Sequence, residues 1–155
     1  MEYQRTRFFP KKPIRSFQDL EVYQRSFNAS VTIMQKIIPN MKGDYPIKEI
    51  VTNCCLSLPN EIAEAYSRRF DDKNSSYKLM EESMVKCNKM IVYLEQSRDI
   101  FSNEVDKVVV EELIKNYSKT RIKLLNLLKV WKKFEQQWQY RQNNGNAQND
   151  QSQKS

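Results

Sequence analysis

Apolar residues recur every three or four positions along four stretches of this chain, and short runs rich in Pro, Gly, Asn and Asp separate them. That spacing gathers the apolar side chains on one face of a helix. The first stretch spans residues 16 to about 40. Ser16 can cap its first turn together with Asp19 three residues on. Phe17, Leu20, Phe27, Val31, Met34 and Ile38 form its stripe, with Val22 and Tyr23 at the margins, before Pro39, Asn40, Gly43 and Pro46 close it. The second covers 47–70, with Ile47, Val51, Cys54, Leu58, Ile62 and Tyr66 on one face. Pro59 falls in its middle, where the missing N–H predicts a kink. Residues 71–75 turn the chain. The third, 76–98, repeats Tyr77, Met80, Met84, Cys87, Ile91 and Leu94 as a heptad seam, and core is favoured there over an adaptable methionine groove.

The fourth stretch starts near Asn103 and keeps its heptad through Val110, Leu113, Tyr117, Thr120, Leu124, Leu127, Trp131, Phe134 and Trp138, interrupted only by the threonine. At ~1.5 Å per residue it reaches about 55 Å against about 35 Å for the others, so its last turns, with Trp131, Phe134 and Trp138, should overshoot. An exposed seam of that kind needs a cover: the arm's Phe8 and Phe9, another subunit or a partner protein. Beyond Tyr140 no periodicity remains, and Gln and Asn abound. The pattern therefore predicts an all-α, antiparallel up-down four-helix bundle with an extended fourth helix, divided into a basic arm at 1–15, the bundle at 16–140 and a disordered polar tail at 141–155.

With 155 residues, 39% of them hydrophobic, the chain is long enough for one domain with a real core. No apolar run has membrane-spanning length and the first residues lack the apolar stretch of a signal peptide, so a cytoplasmic protein is expected. Three cysteines, Cys54, Cys55 and Cys87, are too few and too clustered for a disulfide framework, and they read as small packing residues. Histidine is absent, which removes the commonest general base and the usual zinc sites. No Gly-rich phosphate loop or hydrolase motif is present, and no enzyme activity, cofactor or metal is expected. Glu61 and Glu64, three apart, suggest an acid/base pair or a carboxylate metal set, but di-metal bundles need a histidine partner. A structural polar cluster with Ser83 and Lys86 is the favoured reading.

The net charge of +7 sits at the two ends of the chain. Arg5, Arg7, Lys11 and Lys12 alternate with Tyr3, Phe8 and Phe9 in the arm, a pattern that suits nucleic acid or a simple tether to the bundle. Between Asn116 and Lys133 there is no acidic residue, while Lys119, Arg121, Lys123, Lys129, Lys132 and Lys133 are present, with Lys115 just before. Part of this charge forms a stripe, either a solvated face or a track for phosphates.

Three motifs add a family resemblance. Ser57-Leu58-Pro59-Asn60-Glu61-Ile62-Ala63-Glu64-Ala65-Tyr66 resembles the S-I-P-S-N-I-A-E-G/A helix of the bacterial four-helix-bundle family that includes proteins encoded in intervening sequences of large-subunit ribosomal RNA genes. Ser16-Phe17-Gln18-Asp19-Leu20-Glu21-Val22-Tyr23-Gln24 is similar to that family's F-x-D-L-x-V-W/Y-Q opening, and Ser83-Met84-Val85-Lys86-Cys87 to its S-x-x-E-C. The likeness runs from about residue 16 to about 125. Asn53, Glu61, Glu82 and Lys86 depart from the family's arginine, asparagine, glycine and glutamate, so its polar cluster is rewired. If these positions meet, Lys86 should reach Glu61 or Glu64. The resemblance implies ring-like homo-oligomers, typically pentamers, and, among accessory proteins of diversity-generating retroelements, binding to a reverse transcriptase and its RNA. The expected function is thus an oligomeric accessory protein binding RNA or an RNA–DNA intermediate. The alternative is a protein-interaction scaffold that docks a partner through the extension of the fourth helix.

Overall fold

The computed structural model describes residues 13–152, with side chains through residue 148. All regular structure among them is helical: α1 (Glu21–Thr32), α2 (Pro46–Arg68), α3 (Lys73–Ile100) and α4 (Lys107–Ser152). Contacts run from α1 to α2, α2 to α3, α3 to α4 and from α4 back to α1, so four helices enclose one core. None is long and apolar enough to cross a membrane.

Local chemistry sets the ends. The Ser16 capping box forms, with Ser16 Oγ accepting from the Gln18 N–H (3.2 Å) and Asp19 accepting from the Ser16 N–H (3.2 Å). It caps a short 3-10 turn, Phe17–Asp19, and α1 begins two residues later. Past Thr32 the helix widens into a π turn, Ile33–Ile37, in which the Ile38 N–H donates to the Ile33 carbonyl. Pro39 accounts for the change, because it has no N–H for the carbonyl of Gln35 and the ordinary ladder cannot continue. Gly43 then turns the chain at φ +93°, where a Cβ would sit 3.0 Å from the Tyr45 ring; that turn requires glycine. Pro46 opens α2 at a position with no hydrogen bond to lose. Asp72 caps α3 by accepting from the Ser75 N–H (3.2 Å), and Asp106 caps α4 by accepting from the Val108 N–H (2.9 Å).

The core joins Val51, Cys55, Leu58 and Ile62 of α2 to Met80, Cys87, Met90 and Leu94 of α3 and to Val110, Leu113, Tyr117, Leu124 and Leu128 of α4. Pro59 is buried, and α2 runs through it unbroken. The stripe of α1 differs from the expected one. Leu20, Val22, Ser26, Ala29, Ser30, Ile33, Ile37 and Met41 face inward, whereas Phe27 and Val31 are exposed. The helix is rotated so that Ser26, Ala29 and Ser30 meet its neighbours, since small side chains allow close approach. Their hydroxyls cost little to bury because each donates to a carbonyl of its own preceding turn: Ser26 to Tyr23 (3.0 Å) and Ser30 to Phe27 (2.6 Å). Ser97 and Thr120 do the same on α3 and α4. Ser76 instead crosses between helices and donates to the Ala65 carbonyl (2.6 Å), which ties the start of α3 to the end of α2.

All three cysteines are free thiols. Cys55 and Cys87 are buried and Cys54 half-buried, as packing residues should be. Burial pushes the thiols of Cys55 and Cys87 up to about 12. Next to them Tyr117 is fully buried, and its hydroxyl has no hydrogen-bond partner.

With 46 residues, α4 spans about 69 Å, against about 35 Å for the 23 residues of α2. The overshoot starts later than expected. Trp131 still packs on Tyr66 of α2, with ring centroids 6.4 Å apart, and Glu135 still bonds to α3. Residues 136–148 are exposed throughout. The irregular tail expected from residue 141 is helix as far as Ser152. That segment has no proline and one glycine, Gly145, so no residue in it breaks the ladder, and its Gln and Asn are tolerable in helices. The expected start near Asn103 also moves, to Lys107, because the Asp106 cap sets it.

The unpaired Tyr117 hydroxyl makes a direct prediction. Tyr117→Phe should leave stability unchanged or raise it by about 1 kcal/mol, because only a desolvated polar group is lost. Tyr117→Ala should cost about 3–5 kcal/mol through the cavity it leaves. Urea unfolding of the two variants against the parent checks both values.

Candidate nucleic-acid interface

The predicted site residues divide into four groups. Arg5, Arg7, Lys11 and Lys12 lie outside the described residues. On α4, Lys115, Lys119, Lys129 and Lys133 are exposed and take part in no ion pair among the described residues. Their offsets of four, fourteen and eighteen residues from Lys115 bring them to the side of the helix opposite Tyr117 and Leu124. α4 carries no carboxylate from Asn116 to Lys133, and Glu111, one turn before Lys115 on the same face, makes no ion pair with it.

The remaining cations of the predicted stripe turn toward neighbouring helices. Lys123 Nζ sits 3.0 Å from Glu21 of α1, which also holds Arg25 at 3.1 Å. Arg121 is half-buried on the α3 side. Lys132 Nζ lies 4.0 Å from Glu81 and 5.4 Å from the centre of the Tyr77 ring. The stripe is therefore narrower than its sequence suggests. The lysines at 115, 119, 129 and 133 form the open face, while 121, 123 and 132 belong to its flanks.

Three of the four residues expected in the polar cluster come together. Lys86 of α3 donates to Glu61 of α2 and to Ser57 Oγ (3.0 Å), and Ser83 Oγ lies 3.4 Å from the other oxygen of Glu61. Lys86 thus reaches Glu61, one of the two partners its position predicts. Glu64 stays out of the cluster. It faces Arg68 four residues on, at 3.0 Å in the exposed layer. Glu61 and Glu64 therefore do not work as a pair: one carboxylate is held by an ammonium and the other by a guanidinium. Asn53 and Glu82, the other departures, are exposed.

Of the predicted interaction residues, Trp131 is half-buried on the bundle, whereas Phe134 is 73% and Trp138 60% exposed. Sequence reasoning missed the network beside them. Tyr77 donates to Glu135, Lys73 Nζ lies 3.3 Å from that carboxylate, and the same ammonium is 5.8 Å from the Trp138 ring. The available signal was Glu135 itself, the first carboxylate after Glu112. Hydrogen bonding from Tyr77, then from Lys73, holds the Glu135 carboxyl below the usual range, while burial and the Glu135 charge push the Tyr77 phenol up to about 12. Glu21 is lowered likewise, chiefly by Lys123.

Two outcomes follow. Lys86→Met should destabilise the fold by about 1–3 kcal/mol by leaving a half-buried carboxylate unpaired, and Glu61→Leu should rescue much of it in a double-mutant cycle. Glu21 and Glu135 are depressed in the folded state, so the stability they supply is present above the ordinary carboxylate value of 4.5 and is lost as pH falls through their lower folded values. Thermal unfolding followed from pH 6 downward, on the order of ordinary carboxylate titration, should decline less steeply in Tyr77→Phe combined with Lys123→Met. An equal decline would remove these two carboxylates from the acid response. Comparison of the whole sequence with protein-family models, with curated proteins and with solved structures finds no match, so the resemblance rests on its three motifs alone.

Proposed function

We propose that this protein is a non-catalytic, oligomeric nucleic-acid-binding bundle that takes structured RNA or an RNA–DNA intermediate on the outer face of α4. One observation carries the reading: Lys115, Lys119, Lys129 and Lys133 are exposed on one helix face and engaged in no ion pair among the described residues. A face of this kind attracts phosphates by counterion release and reads backbone charge, not base sequence. The basic arm, with Arg5, Arg7, Lys11 and Lys12, extends the same chemistry. An antiparallel up-down course is supported by the register of cross-helix contacts, Ser76 with Ala65 and Lys86 with Ser57.

Oligomerisation, as a pentamer on the family pattern, finds support in the exposed apolar residues Phe27 and Val31 of α1 and Ile122 and Val130 of α4. Repetition of the basic face around a ring would multiply its field. A reverse transcriptase as protein partner and a cytoplasmic setting belong to the same proposal. The resemblance alone supports the enzyme partner.

The test is RNA affinity as a function of salt. Binding should weaken steeply with salt, and changing all four lysines to Gln should flatten the log–log slope by about 3, at ~0.7–0.9 per phosphate contact. Lys123→Gln, whose ammonium is already engaged by Glu21, should change the slope little. A slope untouched by the quadruple change would overturn the reading and favour a scaffold that docks another protein through the end of α4.

A further inference from the structure

Where α2 gives way to α3, aromatic rings and cations alternate in space. The Arg69 guanidinium lies 3.6 Å from the centre of the Tyr66 ring and 4.2 Å from that of Phe70, and its Nη1 donates to the Tyr66 carbonyl (2.6 Å). Tyr66 leans on Trp131 of α4. From Trp131, Phe134 and Trp138 follow three and seven residues on, which keeps them on one side of the helix. Phe70 is 75% exposed, so three large rings face solvent at one end of the bundle.

The carboxylates nearby are mostly engaged. Glu64 and Asp72 flank Arg68, and Glu135 is held by Tyr77 and Lys73. Asp71 is exposed at the turn. Arg69 has no carboxylate within 4 Å among the described residues, and Lys73 stands 5.8 Å from the Trp138 ring, so cations lie beside two of the three rings. An apolar patch this large is normally covered. A second copy placing the same end here would bring like charges together. An occupant with flat apolar faces and its own negative charge satisfies both requirements.

We propose that Phe70, Phe134 and Trp138, with Arg69 and Lys73 beside them, form a stacking platform for unpaired bases of a single-stranded nucleic acid. The inference rests on the nucleic-acid reading above and deepens it. Lysines on the outer face of α4 take phosphates from any strand, whereas the rings need a free base face, which a duplex does not present. The Arg69–Phe70 stack presents a ring already backed by a cation, and Trp138 supplies the largest platform in reach.

The test uses Trp138 as its own reporter. Trp131→Phe leaves Trp138 as the sole tryptophan of the full chain, and its fluorescence is followed on titration with oligouridylate and with duplex RNA of equal length. Saturable quenching by the single strand but not by the duplex is expected. Trp138→Ala and Phe134→Ala, both at exposed positions, should each weaken single-strand binding about tenfold and leave duplex binding unchanged. Absent quenching, or equal weakening of both RNAs, would overturn the platform while salt-dependent duplex binding keeps the electrostatic reading. Failure to bind either RNA overturns both. A smaller oligomer in Trp138→Ala with single-strand binding intact would assign the rings to a subunit contact and also overturn the platform.

Discussion

A helix can be buried only as far as its neighbours reach, and that limit shapes this molecule. The 46 residues of α4 pass a bundle whose other helices have 12, 23 and 28 residues. While α1, α2 and α3 run beside it, the helix is amphipathic, with Val110, Tyr117 and Leu124 inward and Lys115 and Lys119 outward. Past Leu128 full burial ends, yet large apolar residues continue for another ten positions. Burial of such rings is the main driving force that a protein of this size has. Phe134 and Trp138 nevertheless stay in water.

Polar contacts fix how the other helices meet. Apolar seams alone allow neighbouring helices to slide by a turn at modest cost, because Leu, Met and Ile exchange places readily. Lys86 with Glu61 and Ser57, Ser76 with the Ala65 carbonyl, and Arg25 with Asn116 (3.3 Å) each have one register that satisfies them. A buried or half-buried pair contributes more to choosing among packings than to net stability, since its desolvation offsets much of its attraction.

The fold was legible because its signal is periodic. Seams on α2, α3 and most of α4 follow large apolar residues, and large residues are the visible ones. On α1 the same rule misled, since the middle of its buried face is Ser26, Ala29 and Ser30 while Phe27 and Val31 stay out. Composition conceals that choice, because close approach favours small groups regardless of polarity. The helical course beyond Tyr140 escaped for a related reason: with no apolar stripe, a segment of moderate propensity gives no periodic signal at all. At the candidate site, the lysines at 115, 119, 129 and 133 were legible as charge. That Lys123 and Lys132 face carboxylates on α1 and α3 depends on Glu21 and Glu81, far away in the sequence, which periodicity cannot report.

One continuous helix thus passes through three environments: enclosed by the bundle, leaning on the facing ends of α2 and α3, and alone in water. Backbone amides along α4 should then exchange with solvent at rates graded over its length, slowest near Tyr117 and fastest around Gly145, although the hydrogen-bonding pattern never changes. A protease nicking the chain near Gly145 would trim the rod and leave the bundle standing.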